Sequence, residues 1–186
     1  MAVLVGGQRV TASSLSTFPM QLLNSITLTL PDPFVELAVP TTYQRLMVNW
    51  RARADTAAAS DTLDLAFNDD FGVNYIYQQS EANNATLTGS NSGAATVVIH
   101  VGTIPAGTAT ANYFGSGSFI VDGANDTTNF KTVQGYACGF AASNNMFCGD
   151  YSGQWLSTAA VNIVCFTPNT GVNIVAGSSF SVYGMS

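Results

Sequence analysis

The side chains able to do chemistry are few, and their spacing narrows what they do. The 186-residue chain holds one histidine, His100, and three cysteines, Cys138, Cys148 and Cys165. His100 falls in the apolar run Thr96–Val101 with no Cys or carboxylate at ligand spacing, so it reads as a core or interface histidine. Serines are plentiful, but no Gly-x-Ser-x-Gly elbow raises one as a nucleophile. Asn68, Asp69, Asp70 and Asn74 have the oxygen density of a calcium loop. Counting from Asn68, however, Gln79 stands at the twelfth position, where a bidentate Glu is needed, so a hairpin turn is the better reading. Gly115-Ser-Gly117 lacks the strand-to-helix setting of a phosphate cradle. The expectation is a non-enzymatic chain with no cofactor and no metal. An odd cysteine count without a CxxC points to small buried hydrophobes, with a Cys138–Cys148 disulfide closing a short loop as the alternative.

Two further groups could act by binding. From Tyr43 to Arg53 a period of two puts Leu46, Val48, Trp50 and Ala52 on one face and Arg45, Arg51 and Arg53 on the other. Asp64, Asp69 and Asp70 on the next hairpin are their natural partners, and bidentate pairs would fix strand register. Trp50, Trp155, Tyr75, Tyr77, Tyr113, Tyr136 and Tyr151 are expected to pack in the core and across strands; with the abundant Asn they could alternatively line a sugar-binding groove.

The elements that must position these residues are strands. From residue 20 onward, alternation broken by Pro, Gly and Asn gives about ten of them, and no segment has helical period beyond a turn or two. Leu63, Leu65 and Phe67 lead through Asn68–Gly72 to Val73, Tyr75 and Tyr77, which predicts a hairpin; residues 80–95 predict an exposed loop. The fold class is all-β, a jelly-roll-like antiparallel β-sandwich or barrel, as one domain over 20–186. Residues 1–19 predict an extended N-terminal arm, with Leu4, Leu15 and Phe18 as candidate anchors on a neighbour.

Charge bounds the partners. Charged residues make up 9% of the chain, against about 25% in an ordinary domain. A net charge of −6 with five Lys and Arg disfavours nucleic acid and anionic membrane. A single Lys leaves sheet edges with little defence against pairing, so self-association is the expected state. The apolar start Met1–Val5 ends at Gly6 and Gly7, too short for a signal-peptide core, which predicts synthesis in a cytoplasm.

Three stretches resemble a group of tailed-bacteriophage virion proteins. Val39-Pro-Thr-Thr-Tyr43-Gln-Arg-Leu46 with trailing Arg53 is similar to their I-P-x-T-Y-x-x-L strand start. Leu63-Asp-Leu-Ala-Phe67-Asn68-Asp-Asp70-Phe-Gly72-Val-Asn74-Tyr75 is similar to their L-x-F-N-x-D-x-G-x-N-Y segment. Gly177-Ser-Ser-Phe180-Ser-Val182-Tyr183-Gly184-Met185 is similar to their G-S-x-x-x-L-Y-G-I ending, with Val182 for Leu and Met185 for Ile. The resemblance implies a virion component made in the host bacterial cytoplasm: a capsid decoration, a fibre base or a tail-associated subunit. The implied partners are copies of itself, with a trimer favoured, and the major capsid protein or other virion proteins. The alternative is a tail or receptor-binding protein that recognises a host-surface glycan. The resemblance brings no catalytic residues.

Overall fold

The computed structural model describes residues 3–5, 8–10, 20–142, 145–170 and 173–185. Strands β1 (Val3–Val5) and β2 (Gln8–Val10) pair with each other, antiparallel. Leu15 and Phe18 lie outside the described residues, as does the side chain of Leu4. Twelve strands follow: β3 (Gln21–Thr27), β4 (Val35–Ala38), β5 (Arg45–Ala52), β6 (Ser60–Phe67), β7 (Tyr75–Asn83), β8 (Thr86–Asn91), β9 (Ile99–Pro105), β10 (Gly115–Asp122), β11 (Lys131–Ala142), β12 (Asn145–Trp155), β13 (Ile163–Pro168) and β14 (Ser179–Met185). The described residues contain no helix.

The strands form two antiparallel sheets. One has eight strands in the order β3-β14-β5-β10-β11-β12-β7-β8, the other four in the order β4-β13-β6-β9. From β3 to β6 the chain alternates between sheets, and it does so again from β9 to β10 and from β13 to β14. This is jelly-roll connectivity in a sandwich of two separate sheets. Strands β7, β8, β11 and β12 widen the larger sheet, and β11 and β12 pack over β9 of the smaller one.

Alternation fixes which residues enter the core. On β5, Leu46, Val48, Trp50 and Ala52 are buried, as the sequence period requires; on β14, Phe180 and Val182 are buried between less buried neighbours. Leu63, Leu65 and Phe67 on β6 and Val164 and Phe166 on β13 meet them from the smaller sheet. Phe166 lies 4.6 Å from Phe180 and 6.1 Å from Phe119, centroid to centroid, so the two layers lock through aromatic rings. The Trp50 indole occupies space that side chains at Gly102 and Gly117 would fill: a Cβ on either would stand 2.5 Å from the ring. Each such buried side chain contributes about 1.5–3 kcal/mol by leaving water.

Four expectations are corrected. Strands β6 and β7 are not a hairpin: β6 pairs with β9 and β13, β7 with β8 and β12, so the turn between them crosses from one sheet to the other. Residues 80–95 are not a loop throughout, because β7 runs to Asn83 and pairs with β8 around Asn84. The described strands number more than ten. Cys138 and Cys148 are joined in a disulfide, since β11 and β12 place them directly opposite each other with Cα atoms 4.1 Å apart. Only Cys165 is a free, buried thiol.

Candidate functional site

The corner between β6 and β7 accounts for each polar residue of the second resembling stretch. Asn68 and Asp69 have φ of 55° and 56°, a left-handed pair that short polar side chains tolerate and that reverses the chain tightly. The Asn68 amide donates to the Ala160 carbonyl, and its oxygen accepts from the backbone of Asn162 and Ile163. The Asp70 carboxylate accepts from Gly72 N, Asn74 Nδ2 and Trp155 Nε1. Partial burial opposes its ionisation, but these donors outweigh burial and hold the carboxyl below its ordinary range. A side chain at Gly72 would strike Asp70 and Asn74. The Tyr75 hydroxyl accepts from Phe67 N and donates to the Asp70 carbonyl. The Asn68 oxygen and the Asp70 carboxylate, which contributed to the calcium-like pattern, are therefore bound to protein donors, and the turn is a structural clasp.

The expected Arg–Asp pairs do not form. Strands β5 and β6 are consecutive in sequence but lie in different sheets, and the arginines point away from the core, so Asp64, Asp69 and Asp70 are out of their reach. Arg45 pairs instead with Asp122 on the neighbouring β10, Nε to Oδ1 at 2.8 Å, an exposed bridge that solvent screens and that adds little to stability. Arg51 donates to the Gly177 carbonyl, and its guanidinium lies 3.7 Å from the Phe114 ring centroid. Arg53 donates to the carbonyls of Ala106, Ala109, Thr110 and Tyr113, pinning that loop to the end of β5.

Asp64 is buried and faces the single histidine. Its Oδ1 lies 3.2 Å from His100 Nδ1, and its Oδ2 accepts from Asn169 Nδ2. Burial pushes its carboxyl up to about 8, against the Asn169 hydrogen bond and with help from the charge of Asp61. Burial pulls His100 down, and the Tyr77 ring closes over it at 4.2 Å. Near neutral pH the pair is therefore an uncharged acid beside an uncharged imidazole. Asp69 lies elsewhere, where Glu36, Asp69 and Cys165 bring donor atoms within 4.8 Å of one another. The Cys165 thiol donates to Asp69, and burial pushes it up to about 12, so it stays protonated.

The aromatic residues divide. Trp50, Trp155, Tyr75 and Tyr151 are buried, and Tyr77 and Tyr113 are partly covered. Tyr136 alone of the seven stands largely exposed, at 62%, on the outer face of the larger sheet. Around it that face forms a trough of about 550 Å³, continued by hollows of about 340 and 300 Å³ that share Gln134 with it. Pairing sets the floor as a cross-strand row, Gln78–Ser152–Gln134–Ile120, with Asp150 and Tyr136 beside each other in the next row. Among the described residues, the side chains of Gln78, Gln134, Gln154, Tyr136 and Asp150 make no hydrogen bond within the protein. Elsewhere the acidic surface is engaged locally: Asp126 accepts from Thr128 and Asn129, and Asp55 from Asn173. Neither alternation nor composition marks this trough, because its residues are mixed in type and converge from four strands.

No family model, curated protein or solved structure matches the chain. Its class is set by topology alone, an all-β jelly-roll-like sandwich with a widened sheet.

Proposed function

We propose that this chain is a non-enzymatic virion structural protein of a tailed bacteriophage, a capsid decoration or head-fibre subunit that works as a homo-oligomer on the particle. The observation that carries this reading is that the resembling stretches interlock. Tyr43 of the first lies on Gly184 of the third, where a side chain would come within 2.4 Å of its ring. Strand β14, which ends the third, pairs with β5, which the first begins. The second is the clasp between the sheets. Residues that explain one another in space are the kind a shared fold would keep. Self-association has support at both edges of the larger sheet: β3 and β8 carry no charged residue, and all of β8 is exposed. Imaging purified particles tests the location, and sedimentation equilibrium tests the assembly. A trimer is expected; a species that stays monomeric as concentration rises would remove the assembly half of the reading.

The second reading, a carbohydrate-recognising tail or receptor-binding protein, is favoured by one feature, the trough around Tyr136 with its unengaged amides. Jelly rolls serve both capsid and lectin domains, so the fold does not choose between them.

A further inference from the structure

We infer that the trough on the outer face of the eight-stranded sheet binds a neutral oligosaccharide laid across the strands, with Tyr136 stacking on a sugar face and Gln78, Gln134 and Asp150 bonding hydroxyls. The inference rests on the carbohydrate reading and adds to it the residues, the direction and the charge class of the glycan.

The chemistry of the lining selects the ligand. Each Gln offers two donors and one acceptor oxygen on a single planar group, which suits neighbouring hydroxyls. Asp150 lies directly across from Tyr136 in the β11–β12 register, so a strong acceptor stands beside an exposed ring. A sugar ring has the same two aspects, an apolar CH face and a polar rim. The trough holds no free cation: Arg45, at its far end, is occupied by Asp122. An anionic sugar would meet the Asp150 carboxylate with no unpaired cation to neutralise it, so sialylated and uronic-acid glycans are disfavoured. A peptide strand would take a sheet edge, where backbone groups are free, and not a face whose backbone is already paired.

The direction follows from spacing. Gln78, Ser152, Gln134 and Ile120 come from β7, β12, β11 and β10, adjacent strands about 4.8 Å apart. That step is close to the length of one sugar unit, so a linear glycan running across the strands presents successive units to successive side chains, its hydroxyls to the two amides and an apolar CH face to Ile120. Ser152 is the shortest of the four and sets the low point between the two amides. The row crosses four strands, which gives length for several sugars, and the two further hollows flank it along the strand direction.

The test is an array of neutral tetra- to hexasaccharides beside sialylated and uronic-acid oligosaccharides, followed by titration calorimetry with the best neutral binder. Neutral glycans should bind and acidic ones should not. Tyr136→Ala and Gln134→Ala should each weaken binding about tenfold or more, with unchanged melting temperature. Val73→Ser, exposed at the corner between the sheets, should leave affinity unaltered. Binding of acidic glycans only would overturn the inference and leave the carbohydrate reading standing. Binding that survives the Tyr136→Ala, Gln134→Ala double variant would overturn the site. No binding at millimolar concentration would overturn both, as would loss of self-association in Gln134→Ala, because the face would then be an interface between copies.

Discussion

Replacing Asp64 by Asn isolates the most strongly opposed ionisation in the described protein. The carboxyl is buried, with a folded pKa of about 8 against about 3.9 in an unfolded chain. Because the folded value is raised, the native state holds a proton that the unfolded state has released throughout that window. The contribution of Asp64 is fully present below the unfolded value and is lost as pH rises toward the folded one. Its slope is about 1.4 kcal/mol per pH unit. His100 has the opposite sign. Its folded pKa is lowered, so its contribution grows as pH rises toward its ordinary value of about 6.5. From about pH 6.5 to about pH 8 Asp64 acts alone of the two, and the wild type should lose about 2 kcal/mol through it.

Asn reproduces the protonated acid. Its oxygen can accept from Asn169 while its amide donates to His100, and it has no proton to lose. Subtracting wild type from variant cancels the titrations of groups remote from Asp64. Urea unfolding at matched slopes should find the stability of Asp64→Asn relative to wild type rising by about 2 kcal/mol between about pH 6 and about pH 8. Parallel pH profiles for the two proteins would refute the argument, because Asp64 would then be ionised in the fold across the whole range. A variant less stable by the same amount at every pH would show instead that the carboxylate form is the one the site was built to hold.

Other perturbations test the core, the cross-link and the arm. Trp50→Ala should cost about 3–5 kcal/mol in urea unfolding. Trp50→Phe should cost less, because the indole Nε1 is buried without a partner among the described residues. Gly117→Ala should cost about 1–3 kcal/mol by forcing a methyl into the Trp50 ring, with near-ultraviolet circular dichroism reporting the displaced indole. Removing the disulfide with Cys138→Ser and Cys148→Ser opens a closure spanning a sequence separation of 10 and should cost about 2–3 kcal/mol, read as a fall in melting temperature. Deleting residues 1–19 leaves every strand of the two large sheets in place, so the truncated chain should fold, while co-sedimentation with particles should weaken; unchanged attachment would remove the anchoring role of Leu4, Leu15 and Phe18.

How much of this was legible depends on whether a residue's partner is local. Strand β5 was readable because each face is uniform, Leu46 to Ala52 inward and Arg45 to Arg51 outward. The alternation of Phe180 and Val182 against Ser181 and Tyr183 was readable for the same reason. The β6–β7 corner was not, because the turn signature of Asn68–Gly72 is the same whether the chain returns to the same sheet or crosses to the other. Only the distant partners β9, β13 and β12 make that distinction. Strand β8 left no trace because Thr86–Asn91 is exposed along its whole length, so no apolar period exists to be seen. The cysteine pair has a local signal in the sequence. Ser143-Asn144-Asn145 stands near the midpoint between Cys138 and Cys148, which is turn chemistry at the centre of a hairpin. The trough was beyond sequence reading, since its residues become neighbours only through register.

The arginine pairing failed for a reason that carries a consequence. The chain settles most of its described cations on neutral oxygen and aromatic groups. Arg53 is held by four carbonyls; Lys131, fully buried, donates to the carbonyls of Asp126, Asn129 and Ser157; Arg51 stacks on Phe114. Burial pulls the Lys131 amine below its ordinary range, against the opposing charge of Asp126. Arg45 is engaged with Asp122, so these cations are spent inside the molecule and the trough on the outer face is left with amides, hydroxyls, apolar groups and the single carboxylate of Asp150. Both self-association and glycan binding should then rest on dipoles and buried area, which ions screen weakly. Raising salt from about 0.05 M to about 0.5 M shortens the screening length from more than 10 Å to about 4 Å. Over that change, the association constant from sedimentation equilibrium and the affinity for a neutral glycan should each move by less than about twofold. A fall of tenfold or more in either would mean that exposed charges, and not this neutral surface, hold the complex together.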